Sequence, residues 1–85
     1  MNLSFTPDAL EEYVYWQKTD KKVLKKVNEL FKDILRHPYE GIGKPEPLKF
    51  NYAGHWSRRI TQEHRLVYRI EGGNIIVVQI AYHYE

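Results

Sequence analysis

The sequence predicts an α+β domain: two N-terminal helices packed on one face of a small antiparallel sheet, with the other sheet face open and basic. Three observations carry this. Val23, Leu24, Val27, Leu30, Phe31, Ile34 and Leu35 recur at spacings of three and four without a miss, one apolar stripe of an amphipathic helix. Two later runs, Trp56–Thr61 and His64–Ile70, alternate instead with the period of a strand and are parted by a polar break at Gln62-Glu63. Helical pattern fills the first half of the chain and strand pattern the second, the order of segregated layers rather than of alternating βα units.

Taken in order, residues 3–5 form a short strand candidate, and Thr6-Pro7-Asp8 supplies an N-cap, a first-turn proline and an acid at a helix N-terminus. That helix runs to about Lys18, with Leu10, Tyr13, Val14 and Gln17 on one stripe. Thr19-Asp20 caps the second helix, which His37-Pro38 stops, so the two form a helical hairpin on the sheet. Lys21, Lys22, Lys25, Lys26 and Lys32 mark the polar face of the second helix, as a solvated surface or as a contact for an extended nucleic acid. Residues 39–47 hold two glycines and two prolines and make the one long loop.

Alternation resumes at Leu48-Lys49-Phe50-Asn51, and a turn near Tyr52-Ala53-Gly54 leads into the central hairpin. There Trp56 and Ile60 share one face, opposite Ser57, Arg59 and Thr61; Leu66, Tyr68 and Ile70 share one face, opposite Arg65, Val67 and Arg69. Glu71-Gly72-Gly73-Asn74 is a tight turn. The final strand, 75–82, is nearly all apolar and belongs inside the sheet, with Ile76, Val78, Ile80 and Tyr82 facing one way and Val77, Gln79, Ala81 and His83 the other. If the apolar face meets the helices, Lys49, Asn51, Arg59, Arg65, Arg69, Gln79 and His83 converge on the open face. Trp56 and most of the tyrosines are expected in the core.

Eighty-five residues without a repeat or a linker make one domain, 1–85. With 42% hydrophobic residues it lies outside the disordered range, and with no cysteine it has neither a disulfide framework nor a thiolate metal site. No apolar run approaches a membrane span and no signal-peptide pattern opens the chain, so a cytoplasmic protein with no membrane partner is expected. The net charge of +2 hides an asymmetry: residues 44–69 hold six cations and two acids, the rest seven cations and nine acids. A clustered basic face fits a polyanion; ordinary solvated charge on an open sheet would give the same count.

The residues able to do chemistry are one acid, one histidine and the cations. Glu46 sits between two prolines, and His83 near the end of an inner strand. A carboxylate and an imidazole flanking guanidinium groups suit in-line phosphodiester cleavage by a ribose 2′-OH: a base takes the hydroxyl proton, an acid protonates the departing 5′-oxygen, and arginine balances charge on the phosphoryl oxygens. A surface histidine, and a Glu46 paired with Lys44 or Lys49, would account for the same residues without catalysis. His37, His55, His64 and His83 show no metal-ligand spacing, and neither a phosphate-binding glycine loop nor a nucleophile elbow is present.

Four stretches carry a resemblance over the whole chain: Tyr-Trp-Gln-Lys-Thr-Asp (15–20), Gly-Lys-Pro-Glu-Pro-Leu-Lys (43–49), Trp-Ser-Arg-Arg-Ile-Thr-Gln-Glu-His-Arg-Leu-Val-Tyr (56–68) and Tyr-His-Tyr (82–84). In these the chain resembles the YoeB (Txe) toxins of bacterial toxin–antitoxin systems, within the RelE-like group of ribosome-dependent mRNA interferases. The resemblance implies an enzyme that enters the ribosomal A site and cuts mRNA without a cofactor, leaving a 2′,3′-cyclic phosphate. It also implies a YefM-like antitoxin, a tendency to form a homodimer, and contact with operator DNA only through the antitoxin complex. Carried over by motif, Glu46 is the general base, His83 the general acid and Arg65 the transition-state stabiliser, while Lys49 and Arg59 hold phosphate and Tyr84 orders the substrate. Glu85, after Tyr-His-Tyr, is an addition to the family pattern. A catalytically silent module on the same scaffold, such as a gyrase-trapping toxin, is the alternative; it would need the arginines but not an acid–base pair.

Overall fold

The structure, a computed structural model, describes residues 1–82. It has the expected two helical and strand layers: β1 (Leu3–Phe5), α1 (Pro7–Thr19), α2 (Lys21–Arg36), β2 (Glu46–Pro47), β3 (His55–Arg59), β4 (Arg65–Glu71) and β5 (Asn74–Gln79), with a 3₁₀ turn at Phe50–Tyr52. The strands form one sheet in the order β1-β5-β4-β3-β2. Most pairings are antiparallel, but β1 runs parallel to β5, with Leu3 opposite Ile75. The helices and the meander together act as one long crossover that brings the chain back beside β1 in the same direction, so the sheet is mixed.

Local chemistry accounts for the helix ends. Thr6 accepts the Ala9 N–H at 3.2 Å, with Pro7 at the first helical position. Asp20 serves both helices: its N–H closes α1 on the Trp16 carbonyl, and its carboxylate accepts from the Lys22 and Val23 N–H groups. The stripe of α2 is buried at Val23, Val27, Leu30, Phe31 and Ile34, while Leu35 is exposed. These side chains meet Leu66, Tyr68, Ile75 and Val77 from the sheet. Phe5, Tyr13 and Phe31 close one end as an aromatic trio with ring centroids 5.6–5.9 Å apart.

Four expectations are corrected. α1 buries Ala9 and Trp16, not the Leu10–Val14 stripe, and Leu10 is 50% exposed. Apolar residues flank both sides of this helix, and Trp16 decides its rotation by burying a large ring whose indole N–H donates to the Ile80 carbonyl at 2.8 Å. The strand expected over 48–51 instead lies at Glu46–Pro47, because Phe50 takes a positive φ and starts the 3₁₀ turn. In β5, Ile75 and Val77 face the helices. Val67 pairs with Gln79 but Tyr68 pairs with Val77, so Val78 is an extra residue that switches Gln79 to the opposite face. Among the described tyrosines only Tyr68 is fully buried, and Tyr15, Tyr39 and Tyr82 are exposed. The Gly72-Gly73 turn forms as expected, with positive φ at both residues and Glu71 opposite Asn74.

Candidate functional site

The sheet face away from the helices is read from the register. Glu46 lies opposite Ser57 and Arg59 opposite Arg65. Ser57 and Arg59 are two residues apart on one strand, so Glu46, Arg59 and Arg65 share a face. Glu46 and Arg59 are diagonal neighbours across the β2–β3 pair, a separation of roughly 7–8 Å between backbone positions. Glu46 and two of the three cations that the resemblance selected, Arg59 and Arg65, therefore lie on one face.

The other two arginines of the hairpin do not contribute free charge. Arg58 is fully buried on the opposite face. Its five N–H donors are all used: Nε to the Tyr68 hydroxyl (3.1 Å), Nη1 to Asp33 Oδ2 (2.5 Å) and the Ile42 carbonyl (3.1 Å), and Nη2 to the carbonyls of Glu40 (2.9 Å) and His37. Arg69 is paired with Glu71 at 2.9 Å. Arg65 donates through Nη1 to the carbonyls of Thr61, Gln62 and His64, neutral acceptors that orient it, and no described residue cancels its charge. Arg59 is exposed, and no ion pair joins it, Lys49 or Glu46 to another described residue. Glu46 thus does not pair with Lys44 or Lys49. Two guanidinium side chains directly across a strand pair repel each other; an anion between them would reverse the sign.

Glu46 is held from behind. The Arg58 cluster ties down carbonyls at 37, 40 and 42, and Asp33 Oδ2 also accepts the Ile42 N–H at 3.0 Å. Arg59 N–H donates to the Gly43 carbonyl at 2.7 Å, and Leu48 N–H to the His55 carbonyl at 2.9 Å. Gly41 has φ +118, and a Cβ there would fall on Asp33 Oδ2, so close packing of loop on helix demands glycine. Burial alone would push the Asp33 carboxyl up, but the Arg58 hydrogen bond, the Ile42 N–H and the Arg58 charge outweigh it and hold it below the ordinary range. Burial pushes the Tyr68 hydroxyl up; it donates to the Pro38 carbonyl at 2.6 Å.

Residues 79–82 are held just as firmly. α1 takes both backbone groups of Ile80: Trp16 donates to its carbonyl, and Glu12 Oε1 accepts its N–H at 2.6 Å. Gln79 Nε2 donates to the carbonyls of Ala81 and Tyr82, His64 Nδ1 accepts the Tyr82 N–H (2.8 Å), and the Arg65 N–H donates to the Tyr82 carbonyl (3.0 Å). The described chain therefore ends beside Arg65. His83 and Tyr84, the expected acid and substrate-ordering residue, lie outside the described residues.

Glu46 and Lys49 line a groove of about 360 Å³ formed by residues 46–52. A second hollow, of about 470 Å³, is walled by Asp8, Glu11, Glu12 and Glu63, and such a lining repels a polyanion. Among the described residues no group of three or more His, Asp or Glu is arranged to hold a metal. The three described non-glycine residues with positive φ, Lys44, Phe50 and Tyr82, lie beside or in the Glu46 groove and beside Arg65. Strained backbone concentrates at working sites. Sequence reasoning missed Arg58, Asp33 and Phe50. For Arg58 a signal existed: it falls between Trp56 and Ile60 on the apolar parity, where a charge must find a buried partner.

A family profile described as a YoeB-like toxin of bacterial type II toxin–antitoxin systems matches residues 5–84. The chain is 52% identical over 84 residues to the toxin YoeB of Escherichia coli K12, covering 99% of this chain and 100% of that protein. It superposes on the toxin in a heterotetrameric YoeB–YefM toxin–antitoxin complex from Staphylococcus aureus with TM-score 0.90 at 52% identity, covering 99% of this chain and 98% of the other. A YoeB dimer from the same organism gives TM-score 0.91 at 52% identity with the same coverage.

Proposed function

The chain belongs to the family of YoeB-like toxins of bacterial type II toxin–antitoxin systems, and from this we propose that it is a ribosome-dependent endoribonuclease that cuts mRNA in the A site. The observation that supports the chemistry best is the Glu46 carboxylate, with no ion pair among the described residues, on the same sheet face as the facing pair Arg59 and Arg65. Glu46 takes the proton from a ribose 2′-OH, and O2′ attacks the adjacent phosphorus. Arg65 stabilises charge on the phosphoryl oxygens, and Arg59 and Lys49 hold the phosphate. The P–O5′ bond breaks, and His83 gives its proton to O5′ while Tyr84 orders the substrate. The products are a 2′,3′-cyclic phosphate and a 5′-hydroxyl end. Both proton transfers are assigned to side chains, so the reaction uses no metal or other cofactor.

The partners that follow are the bacterial ribosome and its mRNA in the cytoplasm, a YefM-like antitoxin that neutralises the toxin, and a second copy of the chain. Operator DNA is contacted only through the antitoxin complex. The relatives whose structures are a YoeB–YefM complex and a YoeB dimer support the antitoxin and the dimer. The test is to add the protein to ribosomes programmed with a defined mRNA and to map the RNA ends. A-site cleavage with a cyclic phosphate, lost in Glu46→Gln, is expected. Intact mRNA with the wild-type protein bound would leave a binding module on this scaffold.

A further inference from the structure

Phe50 carries two unfavourable features that nothing within the described residues offsets. Its side chain is 93% exposed, the most solvated of the large apolar residues described. Its backbone sits at φ +56, a region that a bulky residue rarely adopts and that asparagine or glycine enters far more easily. Either could be relieved by one polar or small side chain at this position. Phe50 also lines the groove of residues 46–52 with Glu46 and Lys49, and immediately follows Lys49 in the chain. The left-handed conformation opens the 3₁₀ turn, and Phe50 lines the same groove as Lys49 and Glu46.

We propose that Phe50 is a substrate-binding residue, the platform on which a base of the single-stranded mRNA stacks while Lys49 holds the phosphate. The inference rests on the RNA-cleaving reading above and deepens it. Stacking on a phenyl ring accepts every base, because each has a π-face and the ring offers no hydrogen bond to its edge. Phe50 therefore supplies grip without sequence preference, and any choice among codons comes from other groups.

The experiment uses programmed ribosomes whose A-site codon carries 2-aminopurine and 2′-O-methyl groups that block cleavage, beside matched cleavable mRNAs. Wild-type protein is expected to quench the fluorophore. Phe50→Ala is expected to lose the quench and about 5- to 150-fold in kcat/KM, equally for all codons, the range that base–aromatic stacking commands. Phe50→Trp should retain both. Phe50→Asn, which accepts the left-handed backbone, should lose the quench while melting no lower than the parent, which separates lost stacking from lost fold. If wild-type cleaves and Phe50→Ala cleaves equally well with the quench intact, Phe50 does not stack on RNA. If Phe50→Ala turns a dimer into a monomer by sedimentation while RNA contact is unchanged, the ring belongs to an interface between copies and the proposal falls. A wild-type protein that never cuts would overturn the nuclease reading itself, a different result from either.

Discussion

Arg58 meets Asp33 at 2.5 Å across the boundary between β3 and α2, and the guanidinium is wholly inside the protein. Twenty-five residues separate the two in sequence. The pair fastens the loop of residues 37–45 to the helix layer, and Glu46 is the next residue after that loop. Interior charge is tolerated here because all five donors of Arg58 are met.

Arg58→Met should lower stability by about 3–5 kcal/mol, because it leaves the Asp33 carboxylate and the loop carbonyls without their donor. Arg58→Met combined with Asp33→Leu should cost less than the sum of the single changes in chemical denaturation. Strict additivity would show that the two side chains do not act as a unit.

Asp33 and Glu12 should pull the pH dependence of stability in opposite directions. The Asp33 carboxyl is depressed in the folded protein, so its contribution is present above the unfolded carboxylate range and is lost as pH falls through the lower folded value. Asp33→Asn should therefore lower Tm at neutral pH, with the gap narrowing in strong acid. Burial raises Glu12, helped by Asp8 and Glu11 and opposed by the Ile80 N–H. Its favourable contribution is present below the unfolded glutamate range and lost as pH rises through the folded value. Glu12→Gln should raise Tm at neutral pH and match the parent near pH 4. Melting curves from pH 3 to 8 that show no crossing of these signs would refute the assignment.

Arg59→Ala removes one of two facing cations, so it should leave the free protein as stable as the parent or more so, by about 0.2–1 kcal/mol. Its mRNA cleavage should nevertheless fall, chiefly through weaker binding. Calorimetry beside ribosome assays would show whether stability and activity separate in this way.

Arg65→Ala should reduce the chemical step by about 10²–10³-fold with little change in ribosome affinity. His83→Gln should abolish cutting while antitoxin binding persists. Undiminished single-turnover cleavage by either variant would take that residue out of the mechanism.

Gly41→Ala tests the loop from the other side. A methyl group there would displace Asp33 Oδ2, and φ +118 is strained for alanine, so a loss of more than about 1 kcal/mol is expected in denaturant titrations.

What could be read from the sequence was local or motif-borne. The Thr6 and Asp20 caps, the α2 stripe, the Gly72-Gly73 turn and the alternation of the central hairpin each depend on residues within a turn or two of one another. The motifs around Glu46, Arg59 and Arg65 pointed to the groups that the register then placed on one face. The rest was decided by partners distant in the chain. Leu10 and Trp16 compete for the buried side of α1, and the Ile80 carbonyl, 64 residues from Trp16, settles the rotation. One extra residue at Val78 carries Gln79 across the sheet, which simple parity cannot register. Arg58 is one of the six cations counted over residues 44–69, and only Asp33, Tyr68 and the loop carbonyls closing around it place it inside. A charge is placed by the acceptors that can replace its water, and those are assembled only when the chain has folded.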